Sequence, residues 1–431
     1  MTTLLVKNGH VVDPANGIDE PRDILVSGGK IVKVAASVRE SADETVDASG
    51  LHVTPGLIDM QVHFREPGRE DKETIETGSK ASLAGGITSA VAMPNTHPVS
   101  DNQTVIEFVI KRAKEVGLIN IYPAGAITLG EKGERLSEIN ELKKAGAIAI
   151  TDDGLDIQNE GLLRRAIEYA KTCNILLMSH CETDTLTNGG VMHEGWISTR
   201  LGLAGTPAES EDLAVHKNIM LAEMCGGRLH ILHNSTAGAT EALKRAKENK
   251  KATVTGEVSV QHFALSDEEC IGYNTSAKMY PPLRSREHIE AIIEGIKADV
   301  FDAFTTDHAP QIDADKDVPF DHAAFGSTGL ETSFAVMNTY LVKPGYISFF
   351  KGISKMTIEP ARILGLQKGT LSEGADADIA VFDRSKDWTV DPSVRFSKSK
   401  NCVFNCKTLT GKAVYTITGG RVRYAKGKII V

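Results

Sequence analysis

GLIDMQVHFREPG, residues 56–68, decides the reading of this chain. An apolar run of strand length, GLIDMQV from 56, carries Gln61 and leads into His63 and Arg65, and the stretch ends at the turn pair Pro67–Gly68. Strands that terminate in ionisable groups are characteristic of α/β barrels, because every strand of such a barrel ends on the same rim, where one cavity forms.

Outward from this segment the pattern recurs. Apolar runs of strand length are TSAVAM from 88, NIYPAG from 120, AIAIT from 147, NILLMS from 174, RLHIL from 228, ATVTGEV from 252 and DAFTT from 302. Between them lie stretches with helical periodicity, such as TVIEFVIKRAKEV, EGLLRRAIEYAK, EDLAVHKNIMLAEM and REHIEAIIEGIKA. Eight alternating units predict an α/β fold, a (β/α)8 TIM-type barrel over residues 55–369, with helices near 329–364 packing on after the last strand. The two ends read differently. TLLVKNGHVVD, DILVSGGKIVKVA and ETVDASGLHVTPG at the start, and ADADIAVF and GKAVYTITGGRVRYAKGKIIV near the end, are short alternating strands broken by Gly-Gly and Asn-Gly turns. They predict a small β-sandwich domain built from residues 1–54 and 370–431.

Composition narrows the class of function. The 431 residues carry a net charge of -9, spread along the chain, which argues against nucleic acid or an anionic membrane as partner and for a small-molecule substrate. Six cysteines include no CxxC pair, and the start MTTLLVKNGH has no basic segment followed by a long apolar run, so a reducing cytoplasm is expected.

The polar residues that follow each strand form a constellation. They are Gln61, His63 and Arg65 after the first, Asn95 after the second, Asp152 and Asp153 after the fourth, His180 after the fifth, His233 after the sixth, His262 after the seventh, and Asp307 with His308 after the eighth. Imidazole and carboxylate together are the ligands of a borderline cation such as zinc at a site that keeps a position open for water. A carboxylate on the eighth strand is placed to accept and return a proton, so the set predicts a metal-dependent hydrolase of amide-like bonds. Any one of these histidines alone reads as a satisfied core or surface residue, and one of the paired aspartates in the DDG turn can simply shape that turn; the joint pattern carries the argument.

GLIDMQVHFREPG, AGGITSAVAMPNT, ITDDG, SHCE, RLHILHNST, PPLRS, TTDHAP and FGSTGLET resemble the amidohydrolase superfamily, and within it the bacterial dihydroorotases that assemble with aspartate transcarbamoylase. The resemblance implies a zinc enzyme that interconverts N-carbamoyl-L-aspartate and L-dihydroorotate in pyrimidine biosynthesis. Its ligands fall on His63, Asp153, His180, His233 and Asp307, with Asp307 also carrying the proton. Aspartate in ITDDG replaces the carboxylated lysine usual in hydantoinases. The grip on the substrate carboxylate falls on Arg65 and Asn95, a guanidinium suiting it by its planar fork.

Three positions depart from the family. Gln61 replaces the first histidine of the HxH pair, Tyr280 stands before PPLR where asparagine is expected, and Gln311 ends DHAPQ where histidine is expected. The expectation is therefore one firmly held zinc on Asp153, His180 and His233, with the position that shares His63 and Asp307 weakened by Gln61. Two other readings follow from the same departures: a non-catalytic subunit that scaffolds aspartate transcarbamoylase, and a hydrolase of another cyclic amide such as a hydantoin. The assemblies expected are a homo-oligomer and a complex with that transcarbamoylase. The polar segment 311–326, QIDADKDVPFDHAAFG, is suitably placed to act as a lid.

Overall fold

A computed structural model describes residues 2–430. Eight parallel strands run in chain order around a barrel: β1 (Leu57–Val62), β2 (Ile87–Ala92), β3 (Asn120–Gly125), β4 (Ala149–Ile150), β5 (Leu176–Ser179), β6 (Arg228–Ile231), β7 (Thr253–Ser259) and β8 (Ala303–Thr305). The ring closes where Val62 bridges His308 and the His63 amide donates to the His308 carbonyl at 2.9 Å. Helices cover the outside, and their ends follow local chemistry. Gln103–Val116 begins at Asn102, whose side chain accepts from the Val105 amide, and stops at Gly117 in the left-handed region (φ 60°). Its buried stripe is Val105, Ile106, Val109 and Ala113, at the spacing that helical periodicity requires.

The end of the barrel away from the strand C-termini is sealed by the segment around Ile358–Leu364. The Ile58 amide donates to the Met356 carbonyl (2.8 Å) and Arg228 to the Ile363 carbonyl (2.7 Å), both from strand starts. Ile58, Met60, Val91, Leu176, Met178 and Leu364 belong to one buried cluster there. With that end packed, the rim at the strand C-termini is the open face.

The chain ends meet as their alternation predicts. Ile379–Phe382 pairs antiparallel with His52–Pro55, and hydrogen bonding joins nine strands from both ends into one continuous sheet. The strand Thr3–Asp13 is shared: Leu4–Lys7 pairs with Glu44–Asp47, and His10–Val11 pairs with His52–Val53. Between these halves the register with Ile18–Ser27 shifts at Val6/Gly9, and such a bulge bends the strand. Glycine is required at the bend, since a Cβ on Gly9 would lie 2.4 Å from Val53 Cγ2. The result is a separate sheet assembled from both chain ends, with the strand Thr3–Asp13 passing from one half to the other. Part of 370–431 also leaves it. Asn401 accepts the Gln311 amide (3.1 Å) and Ser399 donates to the Lys72 carbonyl (2.7 Å), so this stretch packs on the barrel rim.

His52 sits where sheet and barrel meet, edge-on to Phe349 and 3.2 Å from Arg384 Nη1. Burial, with the Arg384 guanidinium adding to it, lowers its imidazole to about 4. Unfolded histidine takes up its proton near 6.5, so this group removes stability as pH falls from 6.5 towards 4 and leaves it intact above 6.5. A His52→Gln protein lacks that titration. Its urea midpoint relative to the wild type should therefore improve by the equivalent of about 1–2 kcal/mol between pH 7 and pH 4.5, the partial exposure reducing the full linkage value. A difference that does not change with pH would contradict this account.

Candidate metal centre

Gln61 on β1 and His63 just past its end, two residues apart, reach the same carboxylate, as alternate residues of extended chain must if they are to share a face. Gln61 Nε2 lies 3.0 Å from both oxygens of Asp153, and His63 Nε2 lies 3.2 Å from Asp153 Oδ2 and 3.3 Å from Asp307 Oδ1. From β6, His233 Nε2 stands 3.5 Å from Asp153 Oδ1 and 2.9 Å from His180 Nδ1, which comes from the end of β5. The structure thus brings Asp153, His180 and His233 together in one group and His63, Asp153 and Asp307 in another, all buried, with Asp153 common to both. Arg65, His233 and Asp307 adopt positive φ values (61°, 30° and 46°), backbone strain of the kind that gathers at functional sites.

Hydrogen bonds outside the cluster fix its orientation. Asn95 Oδ1 is 2.8 Å from His63 Nδ1, which leaves Nε2 facing the two carboxylates and the Asn95 amide nitrogen free. Burial pulls the His63 imidazole down, but its hydrogen bonds to Asp153 and Asp307 outweigh this and hold it up to about 9. Against burial, His233 and His63 keep Asp153 well below the usual carboxylate range. A metal bound there would require the imidazoles and carboxylates that ligate it to be deprotonated.

Nitrogen and carboxylate oxygen in buried trios suit a divalent metal of the zinc type. The group of Asp153, His180 and His233 fits without reservation in its donor chemistry. The other group includes Gln61 as neighbour, whose Nε2 donates to Asp153 while Oε1 is buried with no hydrogen-bond partner. An orphaned acceptor of this kind costs about 1–3 kcal/mol. An amide oxygen is also a poorer zinc ligand than imidazole.

Arg65 is part-buried beside the cluster, its Nε 3.4 Å from the Pro310 carbonyl, and burial lowers its guanidinium to about 10, which leaves it charged. The other two sequence candidates are committed elsewhere. The Tyr280 hydroxyl donates to Glu182. Gln311 accepts from Lys72 and donates to the Phe325 carbonyl at 2.7 Å. The adjacent aspartates divide their work: Asp152 accepts the amides of Ile127 (2.7 Å) and Thr128 (3.0 Å), shaping the loop after β3, and only Asp153 enters the cluster. His262 and His308 also stand apart, the first 3.1 Å from the Pro281 carbonyl and the second 3.2 Å from Glu73.

Sequence reading passed over Glu182 and Glu131. Glu182, two residues after His180, is buried against that ring. The Glu131 carboxyl, on the loop that Asp152 shapes, is pushed up to about 9 by burial and by Asp152 and Asp153. The segment 311–326 is fastened across the rim: Lys316 donates to the carbonyls of Thr275 (2.9 Å) and Lys278 (3.1 Å), and Lys278 to those of Phe320 (2.9 Å) and Asp321 (3.0 Å). No described helix is long and apolar enough to cross a membrane.

The chain is similar to known proteins along its whole length. Residues 50–239 match the dihydro-orotase-like family and residues 275–424 the amidohydrolase family. A dihydroorotase of Pelotomaculum thermopropionicum is 48% identical over 97% of this chain and 98% of its own. One from Geobacter metallireducens is 46% identical over 98% and 100%. Among solved structures, the L-hydantoinase of Arthrobacter aurescens superposes with a TM-score of 0.89 at 27% identity, covering 100% of this chain and 98% of that one. The dihydropyrimidinase of Brevibacillus agri superposes with a TM-score of 0.87 at 20% identity, over 100% and 96%, a likeness of fold alone.

Proposed function

The chain belongs to the dihydroorotase family, a metal-dependent branch of the amidohydrolases, and from that premise we propose that its rim cluster binds zinc and interconverts L-dihydroorotate and N-carbamoyl-L-aspartate. The observation that carries this reading is Asp153, a buried carboxylate common to two ligand trios beside a charged guanidinium. Zinc, when bound, supplies Lewis acidity to water and to the ring carbonyl. Asp153, His180 and His233 would hold it, and His63 with Asp307 would offer a second position.

The remaining steps fall to the chain's own groups. Arg65 presents its free Nη atoms to the substrate carboxylate, and the Asn95 amide nitrogen, left open by its bond to His63, donates beside it. Asp307 takes the proton from the attacking water and returns it to the ring nitrogen as the amide opens. Asn95 thereby serves twice, fixing His63 with its oxygen and the substrate with its nitrogen.

Gln61 limits the second metal position, so wild-type protein is expected to retain about one zinc per chain after dialysis. Gln61→His should raise that to about two, measured by elemental analysis, and a ratio unchanged by the substitution would remove Gln61 as the limiting ligand. The six cysteines are all free, which supports a reducing compartment such as the cytoplasm. Association with aspartate transcarbamoylase and a homo-oligomeric state are the assemblies proposed on family likeness.

The test is ultraviolet-monitored hydrolysis of dihydroorotate by zinc-loaded protein, with chelated protein as control. Zinc-dependent turnover supports the reading. Zinc retained without turnover would favour the non-catalytic subunit, to which the orphaned Gln61 oxygen points. Turnover of hydantoin but not dihydroorotate would favour the uncharged substrate, against which the part-buried charge of Arg65 beside the cluster argues.

A further inference from the structure

Tyr280 lies against His180 with the two rings nearly parallel, their centroids 5.1 Å apart and their planes 19° from each other. Its hydroxyl does not face the open rim but donates to Glu182 Oε2. That same oxygen is 3.3 Å from His180 Nε2, and the other oxygen of Glu182 accepts from the Thr187 hydroxyl. Glu182 is buried, so a carboxylate there must be satisfied by fixed donors, and these three provide them.

We propose that Tyr280 is a positioning residue for the metal centre, holding Glu182 so that Glu182 fixes the ring of His180 and raises its affinity for zinc. The inference rests on the metal-centre reading above and adds residues to it. Physically, a carboxylate that accepts the Nε2 proton forces the tautomer whose lone pair is on Nδ1, the nitrogen 2.9 Å from His233 and directed into the cluster. It also makes the imidazole a stronger donor to a cation. Glu182 can do this only while its carboxylate stays turned towards Nε2. The phenol on one oxygen and Thr187 on the other lock that rotation. Tyr280 therefore has no hydroxyl left for a substrate carboxylate, and the side chain works on the metal instead of on the substrate.

The test uses full-length protein without substrate. Zinc dissociation constants are measured by chelator competition for the wild type, Tyr280→Phe, Glu182→Gln and the double variant, with thermal melts of each. Tyr280→Phe keeps the ring stack and removes only the donor, and Glu182→Gln keeps shape and removes the charge. Each single change is expected to weaken zinc about tenfold, within the range for residues that orient metal ligands. The double variant should bind no more weakly than Glu182→Gln, because both act along one path. With zinc saturating, KM for dihydroorotate in Tyr280→Phe should stay within about twofold of the wild type. Unchanged zinc affinity in both single variants, losses that multiply in the double variant, or a raised KM with unaltered zinc affinity would each overturn the proposal. Wild-type protein that binds no zinc would overturn the metal-centre reading, and this inference with it.

Discussion

Asp307→Asn protein saturated with zinc is expected to open dihydroorotate roughly a thousandfold more slowly than the wild type, the usual loss when a positioned acid–base group is removed. Asparagine is the right replacement on two grounds. Asp307 holds a positive φ of 46°, a conformation asparagine tolerates better than most residues, so the backbone at the end of β8 should survive. The amide also keeps the size of the side chain and an oxygen near His63, so the substitution removes proton transfer more than it removes contact. Steady-state kinetics should show the loss in kcat, with KM changed by only a few fold. Turnover within about tenfold of the wild type would assign the proton to another group.

Asp153→Ala should have the larger effect on metal. The other ligands each belong to one trio, and Asp153 belongs to both. Its removal leaves His63 without one of the two carboxylates that charge it, and leaves His180 and His233 as a pair with no anion between them and the rest of the cluster. Zinc content after dialysis is expected to fall to near zero and activity to the level of the chelated wild type. Asp152→Asn is the matched control one residue away. Its carboxylate holds the amides of Ile127 and Thr128, so that variant should lose thermal stability while keeping its zinc. Zinc retained by Asp153→Ala, or lost from Asp152→Asn at temperatures where it is folded, would reverse the assignment of the two neighbours.

That pair shows where sequence stops being legible. The eight strand runs could be read because each is apolar and ends in turn or polar residues, a one-dimensional pattern that packing then enforces. The cluster could be read because a barrel delivers all eight strand ends to one place. The residue chemistry of ITDDG does not by itself distinguish Asp152 from Asp153, which only the family resemblance picked out, since the choice depends on which carboxylate points at a loop from β3 and which at β1 and β6. Tyr280 and Glu182 are 98 residues apart and meet only through the fold. Gln311 faces Lys72 rather than the open rim because of a loop from another part of the ring. Likewise the strand-rich tail hid a segment around Ser397–Asn401 that packs on the barrel rim, because its contacts are isolated hydrogen bonds to Glu73, Lys72 and Thr328 rather than a periodic face.

The seam between the chain ends has a consequence for biosynthesis. His52 pairs with Phe382 and Pro55 with Ile379, so the last strand of the leader half must wait for partners encoded some 330 codons downstream. At ordinary rates of synthesis that interval is about 15–65 s, during which His52–Pro55 leaves the ribosome as an open edge. The barrel can assemble in that time as an inserted unit, and the sheet becomes complete only once the strands from Ile379 onward have emerged. A nascent chain stalled before residue 379 would then carry a near-complete barrel beside an unpaired strand, which makes it a substrate for edge-capping chaperones or for self-association.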